Sequence, residues 1–306
     1  MRIFLAGATG AIGRPLTARL LADGHEVTAM TRSPESARAL EGQGIAAVVA
    51  DAFDSEAVTA AITTAAPEVL IHQLTALPTS GGAKKFAAGL RVTSRLRRET
   101  VPVMLEAAAA AGARRAIVQS ISFVTAPDGR PVHDESAPLW TDSPDETLAD
   151  SISAVADMER SVEQASLEGI VLRYGFFTGP GTAWGPGGQL NAMLRRRIYP
   201  VVAEGQGRMS FVHIDDAVDA TLAALERGAP GVYNITEPDP QPVRDALNAA
   251  AKALGARAPR TMPTWMANKL LPASLVHYST TLAGNDSSLA ERELGWRAIK
   301  RWPEGL

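Results

Sequence analysis

The chain has 306 residues and a formal net charge of −3 at pH 7, with hydrophobic residues at 46% and charged residues at 21%. This composition suits one large α/β domain or two smaller ones and excludes a collagen, a coiled coil and a wholly disordered chain. Slight acidity gives no electrostatic case for nucleic acid or an anionic membrane, and the absence of cysteine excludes disulfides, a catalytic thiol and thiolate zinc sites.

Residues 2–6 form a short apolar run before Gly7 and predict a first strand. Leu16, Leu20 and Leu21 have helical spacing over 14–22, and Gly24 ends that helix. Residues 25–31 read as a second strand, and Ser33-Pro34 opens the next helix. Further strands are predicted at 45–50, 69–74, 116–119, 170–173 and 232–235, with helices at 99–111 and 152–167. The strands are continuous apolar runs alternating with helices, which indicates a parallel sheet covered on both faces. Long loops at 125–144 and 179–188 are expected near the site. The first apolar run is too short for an export signal, and no stretch reaches the about 18 apolar residues of a membrane span. The expectation is a cytoplasmic protein.

Gly7, Gly10 and Gly13 lie between the first strand and the first helix. One glycine permits the tight turn, one lets backbone approach a pyrophosphate, and one lets helix and strand pack closely. The backbone around Thr9, Ala11 and Ile12 would then meet the anion at the helix N-terminus. After the second strand comes Thr31-Arg32-Ser33, where an NAD site usually has an acidic residue. Arg32 therefore predicts NADP(H), its guanidinium on the 2′-phosphate with Thr31 or Ser33 assisting.

With these motifs the sequence resembles the extended and atypical short-chain dehydrogenase/reductases along essentially its whole length. The Gly-x-x-Gly-x-x-Gly spacing is the superfamily's turn. The resemblance places Asp51 and Ala52 at the adenine, and Gln73, Leu74 and Thr75, after His72, beside the adenosine ribose. It puts Ser120 at the end of strand five next to Ser122 in the catalytic serine or threonine position. It sets Tyr174, Gly175 and Phe176 beside nicotinamide. Phe211-Val212-His213-Ile214-Asp215-Asp216 and Glu293-Leu294-Gly295-Trp296 also look like the extended subgroup. The implied fold is Rossmann-like and doubly wound, with a mostly parallel sheet. Residues 1–175 would bind the dinucleotide and 176–306 mainly the substrate, with 211–236 returning to the sheet.

The family's Tyr-x-x-x-Lys pair is absent. The tyrosines are Tyr174, Tyr199, Tyr233 and Tyr278, and no lysine lies between 86 and 251. Alignment on Met158-Glu159 puts Ser151 and Val155 at the two positions, and Arg97 where the family has asparagine. Candidate replacements for the proton donor are Ser122, Asp157, Tyr174 and the segment His133-Asp134-Glu135. No metal is expected: His213, Asp215 and Asp216 read as a helix start capped by an aspartate. Arg95, Arg97 and Arg98, like Arg195–Arg197, read as solvated helix faces, with an anionic substrate group or a subunit contact as the alternative.

Residues 179–189, with Trp184, suggest a mobile loop over the pocket. Trp140, Phe176, Phe177, Met193 and Trp265 could line it for a bulky hydrophobic or aromatic small molecule. The helix at 99–111 could pair across a homodimer, as in relatives. The leading expectation is an NADPH-dependent reductase passing hydride to a carbonyl, imine or activated alkene without the tyrosine–lysine pair. An NmrA-like redox sensor and a cofactor-assisted epimerase or dehydratase are the alternatives.

Overall fold

The computed structural model describes residues 1–78, 81 and 83–306, without the side chain of Ala83. The seven apolar runs form β1 (Arg2–Ala6), β2 (Glu26–Thr31), β3 (Ala46–Val49), β4 (Val69–His72), β5 (Arg115–Ile121), β6 (Glu168–Tyr174) and β7 (Gly231–Ile235). They build one sheet in the order β3-β2-β1-β4-β5-β6-β7, parallel throughout. Ile3 pairs with Val27 on one side and Val69 on the other, and Ile117 stands between Ile71 and Ile170.

Alternation along β1 splits the core in two. Ile3 and Leu5 pack with Leu16 and Leu20 of α1 (Gly13–Ala22) and Val218 of α8 (Ile214–Ala223). Phe4 and Ala6 face Ile62 of α3 (Ser55–Ala65), Met104 of α5 (Val101–Ala110) and Met158 of α6 (Glu146–Glu163). Burial on both faces is why the strands read as unbroken apolar runs. Between α1 and α3, Ser33 caps α2 (Pro34–Glu41) by accepting from the Ser36 amide at 3.2 Å.

Two helices differ from expectation. The segment predicted at 99–111 is the second half of a longer rod: α4 (Ala83–Arg95), a π turn at Leu96–Thr100, then α5. Pro102 has no N–H to offer the Arg98 carbonyl, so the ordinary ladder fails there and the chain widens. Helix α6 begins six residues ahead of its predicted start, because Asp145 caps it through the Leu148 amide at 2.8 Å.

The remaining helices are α7 (Gln189–Arg195), α9 (Val243–Ala253), α10 (Thr264–Leu270), α11 (Ala273–Thr280) and α12 (Ser288–Glu293). A separate apolar core joins Trp184, Tyr199, Phe211, Leu247 and Trp302. Of the span expected to return to the sheet, 231–235 does so, whereas Phe211–His213 pairs with Phe176–Thr178. Strand order reverses between β1 and β4, so their carboxyl ends leave a crevice where α/β folds bind ligands.

Candidate active site

The β1–α1 turn forms one wall of this crevice. Gly7 has φ +105°, and a Cβ there would lie 2.8 Å from the Gln73 backbone. A Cβ on Gly13 would lie 2.0 Å from the Gly7 carbonyl oxygen, so the helix seats directly on the turn. Gly10 donates its amide to that carbonyl at 3.1 Å and is exposed, as are Thr9 and Ala11, while Ile12 is buried beneath them. The start of α1 has no side-chain cap and no acidic residue in its first turn. A bare helix N-terminus behind an open glycine face fits a pyrophosphate.

Arg32 lies exposed after β2, without an ion pair or side-chain hydrogen bond among the described residues. Its neighbours are occupied: Thr31 accepts from the Ser33 amide at 3.4 Å, and Ser33 caps α2. Asp51 is exposed and accepts from the Phe53 amide at 3.0 Å, beside buried Ala52. The Gln73 amide donates to the Ala6 carbonyl at 2.8 Å, continuing the β1–β4 ladder, with half-buried Leu74 and exposed Thr75 beyond it.

Around the ends of β4 and β5, several buried polar groups have no partner among the described residues. His72 is 2% exposed with both ring nitrogens unpartnered, and burial pulls its pKa down to about 4. The Oε1 of Gln73 is unpartnered too. Ser122 is 1% exposed with a free hydroxyl, although its backbone is fixed from both sides. Its amide donates to Tyr174 at 2.9 Å, and its carbonyl accepts from Asn285 Nδ2 at 3.1 Å. Four of these unpartnered atoms, on His72, Gln73 and Ser122, lie at adjoining strand ends, an arrangement that a bound ligand could complete.

Other predicted residues are occupied. Ser120 donates to Glu159 at 2.8 Å, and Glu159 is clamped by Arg173 at 2.9 and 2.6 Å. This buried pair supports the site from below. Tyr174 is fully buried, its hydroxyl 2.7 Å from Thr221 and 3.5 Å from Gln73 Nε2, and burial pushes its pKa up to about 12. Asp157 faces outward on α6 and pairs with Arg98 at 3.0 Å and Arg160 at 3.1 Å. Neither Tyr174 nor Asp157 is free to meet a substrate in this arrangement. At the positions expected from the alignment on Met158-Glu159, Ser151 is buried, and Val155 packs with Val124, Leu148 and Ile152.

The open wall is aromatic. Phe123 and Phe176 stack at 4.2 Å, and Tyr278 of α11 meets both edge-on, at 5.7 and 5.6 Å. All three are partly exposed. Phe177 packs on Tyr174 at 5.3 Å, Gly175 lies tight against the Ser210 backbone, and Trp140 lies over His277 at 4.6 Å. Trp184 is no lid residue: it is buried in the C-terminal core against Tyr199 and Trp302, with Met193 on that core's margin. Trp265 is 63% exposed, with Lys269 Nζ 5.8 Å from its ring centre. His133 is a loop staple, bonded to Thr125 at 2.8 Å and Asp128 at 2.9 Å. At the start of α8 the cap is His213, not an aspartate; Asp216 instead holds the Ile299 and Lys300 amides at 3.2 and 2.9 Å. No cluster of potential metal ligands occurs among the described residues.

The arginine cluster divides. Arg95 pairs with Glu99 at 2.8 Å, and Arg98 with Asp150 and Asp157. Arg97, on the π turn, is 5% exposed and makes no ion pair or hydrogen bond among the described residues. Its charge is felt by His72 and Tyr278. Sequence reasoning missed two parts of this wall: Phe123 had a usable signal in its adjacency to Ser122, whereas Tyr278 had none nearby. It read Arg97 with its neighbours as a solvated face, with an anionic substrate group as the alternative.

A parallel sheet with a glycine turn at its switch point defines a dinucleotide-binding α/β protein. More specifically, the chain belongs to the NAD dependent epimerase/dehydratase family, whose model matches residues 3–236. It is 44% identical to a 3-diazoavenalumate denitrifying reductase of a Streptomyces species, covering 100% of this chain and 99% of that protein. It is 30% identical to a 4-hydroxy-2-methyl-3-oxo-4-farnesyl-3,4-dihydroquinoline-1-oxide ketoreductase of Stigmatella aurantiaca, covering 100% and 95%. Its fold matches the UDP-glucose 4-epimerase of Thermotoga maritima with a TM-score of 0.76, at 19% identity, over 100% of this chain and 96% of that one. Both of these relatives at 30% identity or more are named as reductases. No helix of the described residues is long and apolar enough to cross a membrane.

Proposed function

We propose that the protein is an NADPH-dependent reductase that replaces the diazo group of an aromatic compound by hydrogen. The carrying observation is the absence of any tyrosine between 120 and 170 and of any lysine between 86 and 251, with Ser151 buried and Val155 in apolar packing where an alignment on Met158-Glu159 would set the family's pair. A carbonyl reductase needs a proton donor because an alkoxide develops on oxygen. Displacement of nitrogen has no such demand: hydride forms the new C–H bond, the C–N bond breaks, and its electron pair leaves with dinitrogen. An aryl diazonium and a hydride thereby give the neutral arene and N₂. The denitrifying relative at 44% identity supports this reading over ketone reduction.

The bound coenzyme would supply the hydride. Gly7, Gly10, Gly13 and the bare start of α1 would hold its pyrophosphate, and Arg32 the 2′-phosphate. Asp51 and Ala52 would border the adenine. Gln73, Leu74 and Thr75 would line the ribose side. Phe123, Phe176 and Tyr278 give the substrate ring an aromatic wall and keep water from the reacting carbon. The Ser122 hydroxyl is available to orient a polar group of substrate or coenzyme.

The test is incubation with 4-carboxybenzenediazonium and NADPH deuterated at nicotinamide C4. Enzyme-dependent release of one N₂ per NADPH, with deuterium at the vacated ring carbon of benzoate, is expected. Oxidation of NADPH only with ketones, or benzoate without deuterium, would overturn the proposal.

A further inference from the structure

Arg97 stands apart from the other basic residues of its helix. Its guanidinium is buried on the π turn without an ion pair among the described residues, whereas Arg95 and Arg98 spend their charges on neighbouring carboxylates. A buried charge without a counter-ion is costly, and proteins retain one where a ligand supplies the opposite sign.

The nearby groups do not neutralise it. Glu159 lies close enough to favour the charged guanidinium, but both its oxygens are taken by Arg173 and Ser120. The Glu159–Arg173 pair carries no net charge, so Arg97 leaves one positive charge in excess. His72 adds none, since burial keeps its ring neutral at physiological pH. Tyr278 adds no charge either, because a phenol is protonated at physiological pH and its surroundings raise its pKa further; its hydroxyl has no hydrogen-bond partner among the described residues. The unpartnered nitrogens of His72 and the hydroxyl of Ser122 lie at the neighbouring strand ends.

We infer that Arg97 is the anion receptor of the substrate pocket, pairing with a carboxylate on an aromatic substrate whose ring lies against Phe123, Phe176 and Tyr278. A guanidinium suits this role because its fork matches both carboxylate oxygens. The inference rests on the reductase reading only in assigning the pocket to a substrate. It extends that reading by requiring the substrate to be anionic.

The experiment measures binding, so it stands whether or not turnover is found. The NADP⁺-loaded protein is titrated calorimetrically with trans-cinnamate and with trans-cinnamamide, its neutral counterpart. Cinnamate is expected to bind about 30–100-fold more tightly, the range of a charge-assisted hydrogen-bonded pair. Arg97→Met should erase that preference while leaving the NADP⁺ dissociation constant within about threefold, and Arg97→Lys should keep part of it. Arg97→Met should also hold or raise the thermal midpoint of the ligand-free protein, since it removes an uncompensated buried charge. Equal binding of acid and amide to the wild type overturns the inference, as does an unchanged preference in Arg97→Met. A matching loss of NADP⁺ would assign the guanidinium to the coenzyme, and a fall in thermal midpoint would make it a structural counter-ion of Glu159.

Discussion

The two halves of the sheet's carboxyl edge are built by different means. On the β1–β2–β3 side the geometry belongs to the backbone: Gly7 and Gly13 close on each other, Gly10 stays open, and α1 begins without a cap. On the β4–β5–β6 side it belongs to side chains from His72, Arg97, Ser122 and Tyr278, segments far apart in the chain. A phosphate-binding turn needs one short stretch with the right conformational freedom. A substrate pocket needs convergence, and its chemistry can change without disturbing the turn. That separation lets pocket residues change while the coenzyme fold is kept.

The largest effect should come from the foundation of the side-chain half. Glu159→Ala strands the Arg173 guanidinium in the interior and should cost about 3–5 kcal/mol, read from a denaturant midpoint. If the loss is small, the pair is not what supports Ser120 and the end of β5. Next comes His72. Its pKa is about 4 in the folded chain against 6.5 for the free side chain. Below pH 6.5 the unfolded chain takes up the proton first, so stability is full above 6.5 and falls as pH drops to about 4. That amounts to about 3 kcal/mol across the window. Glu237, pushed up to about 7 by burial, works in the opposite direction. The check is therefore the difference in unfolding free energy between wild type and His72→Asn at each pH. A flat difference would mean that His72 is solvated.

The same division explains what the sequence made legible. The seven strands and the glycine turn follow from local apolar runs and spacing, and the lack of any tyrosine between 120 and 170 and of any lysine between 86 and 251 is visible by inspection. Arg97 was read with its neighbours because the three arginines are adjacent in sequence; at about 100° per residue, position 97 lies on the side of the helix opposite 95, and it is buried on the π turn. Trp184 misled for the reverse reason. A tryptophan among glycines resembles a lid, but its partners Tyr199, Phe211 and Trp302 are set by tertiary packing. Tyr278 comes to the pocket on α11, beyond the reach of any local pattern.

Two glycine variants sharpen the backbone side. Gly13→Ala places a methyl 2.0 Å from the Gly7 carbonyl and should destabilise the protein by about 1–3 kcal/mol while weakening NADPH binding. Gly10→Ala meets only that carbonyl, at 3.4 Å, so it should change stability by about 0.5 kcal/mol or less. It should still weaken NADPH, because its methyl occupies the space a phosphate needs. Chemical denaturation with parallel fluorescence titration separates the two. If Gly10→Ala binds NADPH like wild type, the pyrophosphate does not approach that amide.

The smallest expected effect is also the most selective. Arg32 is exposed and its partners would be a solvated phosphate, so solvent screens much of the attraction. Arg32→Ala should raise the NADPH dissociation constant about tenfold and leave NADH within about twofold, without altering the thermal midpoint. Added salt should narrow the wild-type preference toward that of the variant, because the interaction lies in water. Equal weakening of both coenzymes would place Arg32 on a group they share. No weakening of either would return the choice between NADP and NAD to the neighbouring groups, of which Thr31 and Ser33 are already engaged at the start of α2.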